Sequence, residues 1–304
     1  ASIPVALKDV FHNRYQAPDT CIKETELYIK NQQIFGISSQ KNTNEINQLM
    51  SNNALPVQLL AFCNAQIGNY QQAYQLLKNQ FKLQRFSREQ LRTLTVLAFE
   101  IPEGKRAEFN NQKLIKMLTT SIKKIETTPF PNSPNLKAKL LLTVSKLSLE
   151  SDQYRNANQA LEAAKEALKD SQNINLQGWL AYYYGLYYEK INQQQLAISN
   201  LFDANKIAES HQFTQLSGET KKSIANLYQQ KHLFNRAIDF ANRRVELYIT
   251  TKNTIKQADS LIQLAILKEK NNQQNESLIY LFNALELIQN EKHSTLLAHV
   301  YLEL

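Results

Sequence analysis

Glycine and proline are scarce, at 6 and 7 in 304 residues. A fold with many tight turns needs more of both, so long helices are favoured over a sheet-rich architecture. Cysteine is scarcer still: Cys21 and Cys63 cannot build a disulfide framework. No Cys-x-x-Cys and no closely spaced histidine pair supplies zinc-ligand spacing. The glycines (Gly36, Gly68, Gly104, Gly178, Gly185 and Gly218) stand singly, so no phosphate-cradling loop is encoded. Acidic residues are scattered, without a pair placed for acid–base work. No apolar run approaches the roughly 18 residues needed to cross a bilayer. These gaps argue against an enzyme, a cofactor, a metal site or membrane insertion within this segment.

Hydrophobic residues make up 43% of the chain, enough for a sizeable core. Asn and Gln are abundant but interleaved with Leu, Ala, Ile and Tyr at regular spacing, unlike a disordered tract. The formal net charge is +8, and residues 218–257 carry eight Lys or Arg against three acids. A solvated basic face is the simplest reading of that concentration, with an acidic partner the alternative. Basic residues do alternate with Phe234, Phe240 and Tyr248, but these rings fall at helical core spacings. Nucleic acid is therefore not expected as a partner. The two cysteines read first as small buried hydrophobes, with a single Cys21–Cys63 bridge in an oxidising compartment as the alternative.

From residue 138 onward the chain repeats itself. The small residues Ala157, Ala197, Ala237 and Ser277 recur at a step of 40, each preceded by twelve positions with Ser145, Gly185, Ala225 and Ala265. A further column reads Ala164, Ala204, Arg244 and Ala284. Two antiparallel helices approach closely only where side chains are small, and large apolar neighbours one turn away fill the flanking grooves. Polar turns separate the halves, at 151–153, 192–194, 231–232 and 271–273. His232, in one of them, is expected to be exposed. Such pairs bury their apolar faces only by stacking, which predicts an all-α solenoid of antiparallel helix pairs.

The stretch from Trp179 to Tyr188, followed by Ala197, Leu201, Phe202, Asp203 and Ala204, resembles the tetratricopeptide repeat family. An earlier copy reads Leu60-Ala61-Phe62-Cys63, Gly68-Asn69-Tyr70, Ala73 and Leu77. The resemblance implies that the solenoid is right-handed and superhelical. The family's usual period is about 34. The period of 40, and the absence of the family's Pro at the end of the second helix, predict longer second helices or longer loops. Arrays of this appearance resemble the N-terminal sensory regions of bacterial signalling proteins such as GGDEF diguanylate cyclases and sensor kinases.

The N-terminal third, residues 1–126, reads as an irregular helical subarray with helices over Asp19–Gln33, Asn44–Ser51, Ser87–Glu100 and Lys105–Ile125. Ser87 and Gln90 resemble a capping box. Residues 127–135 hold three prolines and read as a linker, followed by regular repeats over 136–304, cut within a fifth. Leu297, Val300 and Leu302 would then be exposed, and the parent chain is expected to continue past Leu304, with an output domain or membrane span beyond it.

In a solenoid the first helix of each pair lines the concave face. The candidate groove residues are Trp179, Tyr182, Tyr183, Leu186 and Glu189, then Lys222, Asn226 and Gln229, then Gln263 and Ile266. Residues 179–188 hold one Trp and five Tyr, more than one helix seam needs, which points to rings left over for recognition. Lys222 and Asn226 resemble the Lys and Asn with which the family clamps a peptide carboxylate and backbone. The expected function is a non-catalytic peptide- or protein-binding region of a larger bacterial signalling protein, periplasmic or otherwise extracytoplasmic. A cytoplasmic regulator of the peptide-pheromone type and a static assembly scaffold are the alternatives.

Overall fold

The computed structural model describes residues 4–14, 17–36, 54–83, 87–106, 109–127, 133–289 and 294–303, and every regular element among them is helical. The chain divides into two compact units, 1–121 and 122–304. The division falls inside a helix, α6 (Asn111–Thr127). The next helix, α7, begins at Ser133, with Pro134 in its first turn, where a missing N–H costs nothing. The intervening proline-rich residues 128–132 lie outside the described residues, as does the helix expected at Asn44–Ser51.

In the first unit, α1 (Lys8–Asn13) and α2 (Pro18–Gly36) precede a hairpin of α3 (Ala54–Gln66) and α4 (Tyr70–Leu83), followed by α5 (Arg88–Glu100). The hairpin turns through Gly68, whose φ of 80° suits a residue without a Cβ. Ala73, Leu77 and Cys63, all from the earlier repeat copy, are fully buried. Ser87 caps α5 as expected, its hydroxyl accepting the Gln90 N–H at 3.2 Å. The helix expected from Lys105 starts instead at Asn111, after a short 3-10 turn over Glu103–Lys105.

The favoured reading of the cysteines was wrong. Cys21 on α2 and Cys63 on α3 are joined by a disulfide, with their Cα atoms 6.2 Å apart, inside a cluster with Leu59 and Phe62. Helix α2 packs against α3, which brings Cys21 within bonding reach of Cys63.

The second unit is a solenoid of helix pairs: α7 (Ser133–Glu150) with α8 (Tyr154–Ala167), α9 (Ile174–Lys190) with α10 (Gln194–Ser210), α11 (Thr214–Gln230) with α12 (Phe234–Thr250), and α13 (Thr254–Lys270) with α14 (Gln274–Ile288). The last described helix, α15 (Ser294–Glu303), packs on α14.

The period of 40 has a simple origin. Helices α9 to α13 each have 17 residues, and three-residue turns join them. In the α9–α10 and α11–α12 pairs both helices are equally long, whereas in the preceding pair α8 has 14 residues and the longer connection 168–173 completes the step. Each turn holds one residue in the left-handed region, at Asp152, Asn192, Gln212, His232, Lys252 and Asn272, with φ between 54° and 60°. The next N–H then reaches back five residues, as from Gln193 to Tyr188 O at 2.8 Å and from Asn253 to Tyr248 O at 3.0 Å. That bond satisfies an orphan carbonyl and ends the helix, so no proline is needed. His232 is exposed, as expected from its place in a turn.

The small columns sit at the helix crossings. A Cβ on Gly185 would lie 2.7 Å from Leu201 Cδ2 on α10, and Ala157, Ala197, Ala225, Ala237 and Ala265 have no exposed surface. Val300 corrects an expectation: α15 folds onto the last pair and buries it completely, whereas Leu302 is 83% exposed.

Candidate functional site

The first helices of successive pairs lie against one another, α9 on α7 and α11 on α9. Polar links carry the succession on to α13, where Gln263 Nε2 donates to Asn226 Oδ1 at 2.9 Å and to Lys222 O at 3.3 Å on α11. These helices therefore share a face. Equivalent positions 40 residues apart fall in rows across it, among them Trp179, Glu219 and Asp259, then Tyr182, Lys222 and Ile262.

Eight of the ten candidate residues are half-buried on that face: Trp179, Leu186, Glu189, Lys222, Asn226, Gln229, Gln263 and Ile266. The other two are not left over for recognition. Tyr182 and Tyr183 are both buried. Tyr182 crosses to α11, with its hydroxyl 3.4 Å from Ser223 Oγ, and meets the Trp179 ring edge-on at 5.4 Å. Tyr183 stacks on Trp179 at 5.9 Å. Tyr182 thus helps build the seam between first helices, Tyr183 is buried beside it, and Trp179 forms the accessible rim of the cluster. Burial, with the nearby Glu219 adding to it, raises the Tyr182 phenol above its ordinary range, so it stays protonated. Glu189 accepts from Gln230 Nε2 at 2.9 Å, and burial raises its carboxyl above the usual value.

Beside the aromatic cluster lies a buried charge network that sequence reasoning missed. Arg244 on α12 is 1% exposed and donates from Nη2 to Asp259 Oδ2 at 2.5 Å and from Nη1 to Gln263 Oε1 at 3.2 Å. Its guanidinium also lies over the Tyr248 ring, 5.6 Å from the centroid. Lys222 Nζ stands 3.6 Å from the same Asp259 oxygen. Burial disfavours the Asp259 carboxylate, but Arg244, Lys222 and Lys256 outweigh it and hold the carboxyl well below the usual range. Burial likewise opposes the charge on Lys256, and Glu219, Tyr248 and Asp259 reverse that effect and raise it.

Room for this network comes from two departures in the repeat. Arg244 replaces the Ala of its column, and Tyr248 takes the place of Leu168, Ala208 and Ile288. Gly218 admits that ring: a Cβ there would lie 1.9 Å from the Tyr248 hydroxyl. The sequence signal was visible, since Arg244 stands alone in a column of alanines and Lys256 in a column of leucines (Leu136, Leu176 and Leu216). A charged residue at a small buried position needs a partner in the next repeat, and Asp259 is that partner.

The basic stretch of α12 is also accounted for locally. Arg243 pairs with Asp239 at 3.0 Å, and Arg236 lies over the Tyr228 ring at 5.7 Å. Among the described residues no helix is long and apolar enough to cross a membrane.

No family model and no curated protein matches the chain. Solved structures do. Aspartyl phosphate phosphatase F from Bacillus subtilis is 13% identical, with a TM-score of 0.58, covering 100% of this chain and 80% of that one. The signal transduction ATPase of Pyrococcus horikoshii with a tetratricopeptide repeat sensor is 14% identical, with a TM-score of 0.54, covering 94% of this chain and 44% of that one. BtubC from P. vanneervenii is 14% identical, with a TM-score of 0.53, covering 64% of this chain and 84% of that one. At these identities the likeness is one of fold, and the fold is that of TPR-like helical repeats.

Proposed function

We propose that the second unit binds an extended peptide or protein segment along the face of α9, α11 and α13, without catalysing a reaction. The observation that carries this reading is the row of half-buried side chains on those helices, from Trp179, Leu186 and Glu189 through Lys222, Asn226 and Gln229 to Gln263 and Ile266. A rigid indole supplies contact area at little entropic cost, and amides and charges supply orientation, the mixture that recognition surfaces favour. Lys222 and Asn226 stand side by side on α11, one turn apart, as a clamp on peptide carboxylate and backbone requires.

In this reading the chain is the sensory or interaction part of a larger bacterial signalling protein in an extracytoplasmic compartment. Two observations support it. A disulfide in the first unit suits an oxidising environment. One structure of similar fold is described as a tetratricopeptide repeat sensor in a signal transduction ATPase. Binding would act by changing the curvature of the stack, since repeats bend through small additive rotations. Nucleic acid is not the ligand proposed, since Arg244 is buried against Asp259 and Arg243 pairs with Asp239 within the protein.

Selection from a displayed random-peptide library tests the site. Capture should fall at least about tenfold in Trp179→Ala and in Lys222→Ala, the loss of roughly 1.4 kcal/mol or more expected for an anchoring side chain. Undiminished capture by both variants would remove the site. Small-angle scattering with a selected peptide at saturation separates sensor from static scaffold: unchanged dimensions contradict the sensor.

A further inference from the structure

The charge network holds three cations, Lys222, Arg244 and Lys256, against two carboxylates, Glu219 and Asp259, and so carries one positive charge in excess. Its two pairs with Asp259 are unequal. Arg244 is almost wholly buried and holds Asp259 at 2.5 Å. A buried guanidinium cannot do without its counter-ion, so that pair is permanent. The Lys222 ammonium is 3.6 Å from Asp259, beyond hydrogen-bond length, and its side chain is 40% exposed. A partly exposed pair at that distance is the weaker of the two and exchangeable. The clamp partner is occupied in the same way: Asn226 Oδ1 accepts from Gln263, which also accepts from Arg244.

We propose that Asp259 is an internal competitor for Lys222: in the free protein it takes the position of an acidic ligand group, and a bound peptide carboxylate displaces it from Lys222 while it stays on Arg244. The inference rests on the peptide-binding reading above and adds to it the regulation of the site. An acidic group is favoured because it neutralises the excess charge, whereas a basic group there would double it. Affinity is then set by the repeat's own carboxylate, so Asp259 acts as a specificity-determining residue without contacting the ligand.

The test uses the whole chain, immobilised, with two pools of random heptapeptides identical except that one ends in a free carboxylate and the other in an amide. Asp259→Asn frees Lys222 but leaves Arg244 without its counter-ion. The companion variant therefore combines Asp259→Asn with Arg244→Ala, the residue at that position in the other three copies. Circular dichroism confirms that each variant is folded. Retention of the carboxylate pool should rise about tenfold over wild type, with the amidated pool unchanged, and adding Lys222→Gln should erase the gain. Equal retention of the carboxylate pool by the wild type and the folded companion variant overturns the inference and leaves peptide binding standing. Failure of every form to retain either pool overturns peptide binding and the inference together.

Discussion

The two units reach a helical core by different means. In the second, one geometry is repeated from α9 to α13: helices of 17 residues, three-residue turns and one left-handed residue per turn. In the first, helix lengths vary from 6 residues in α1 to 19 in α2, and a disulfide ties α2 to α3. A stack gains stability from each matching neighbour, whereas an irregular group of helices lacks that reinforcement and benefits from a covalent tie. Stability should therefore be cross-linked in one unit and distributed in the other, which several substitutions can break or sharpen.

The largest effect is expected from replacing Cys21 and Cys63 together by Ser. Removing a cross-link between residues 42 apart should cost the first unit about 2–4 kcal/mol. Hydrogen exchange should accelerate in α2 and α3 and stay unchanged in α9 to α13. Equal acceleration in both would mean that the units do not differ as described.

Next comes a pair of glycines. Gly218→Ala drives a Cβ into the buried Tyr248 hydroxyl, and overpacking of this kind costs about 1–3 kcal/mol despite the better helix propensity of Ala. Gly104→Ala in the first unit meets no atom within 4 Å and should change stability by less than about 0.5 kcal/mol. Tyr248→Leu should restore most of what Gly218→Ala loses, read by thermal denaturation.

A smaller effect concerns acid. The folded carboxyl of Asp259 titrates below its unfolded value of about 4. Its stabilising contribution is therefore fully present above that pH and is lost as pH falls through the folded value. Denaturant melts of wild type and Asp259→Asn should differ by a constant amount above about pH 5 and converge in strong acid. A difference that grows as pH falls would reverse the sign.

The smallest effect lies in the turns. Lys252 has φ 55° where a Cβ is unfavourable, and Lys252→Gly relieves that strain while loosening the unfolded chain. The net gain should be no more than about 1 kcal/mol. Gly68→Ala, at φ 80° in the first unit, should lose about the same amount. Urea denaturation resolves both.

How much of this was legible depends on how local each signal is. The step of 40 and the small columns reported helix crossings directly, because only small side chains allow close approach, and Gly185 against Leu201 bears that out. The equal helix lengths were less visible, since left-handed Gln212 and Lys252 carry no turn-forming signature. Tyr182 and Tyr183 look like a recognition surface when one helix is considered alone. Both are buried, and Tyr182 reaches Ser223 on α11, one whole repeat away. The disulfide required a three-dimensional approach of α2 to α3 that two isolated cysteines could not announce. The Arg244 network was announced by its broken column, but its meaning needed Asp259 and Gln263 from the next pair.

The most direct test of the central claim places a photo-crosslinking amino acid at Leu186, on the shared face of the first helices, or at Asp239, exposed on a second helix. With a library-selected peptide bound, cross-links should form from position 186 and not from position 239. Cross-links from position 239 alone would show that the ligand lies on the second helices and would contradict the account.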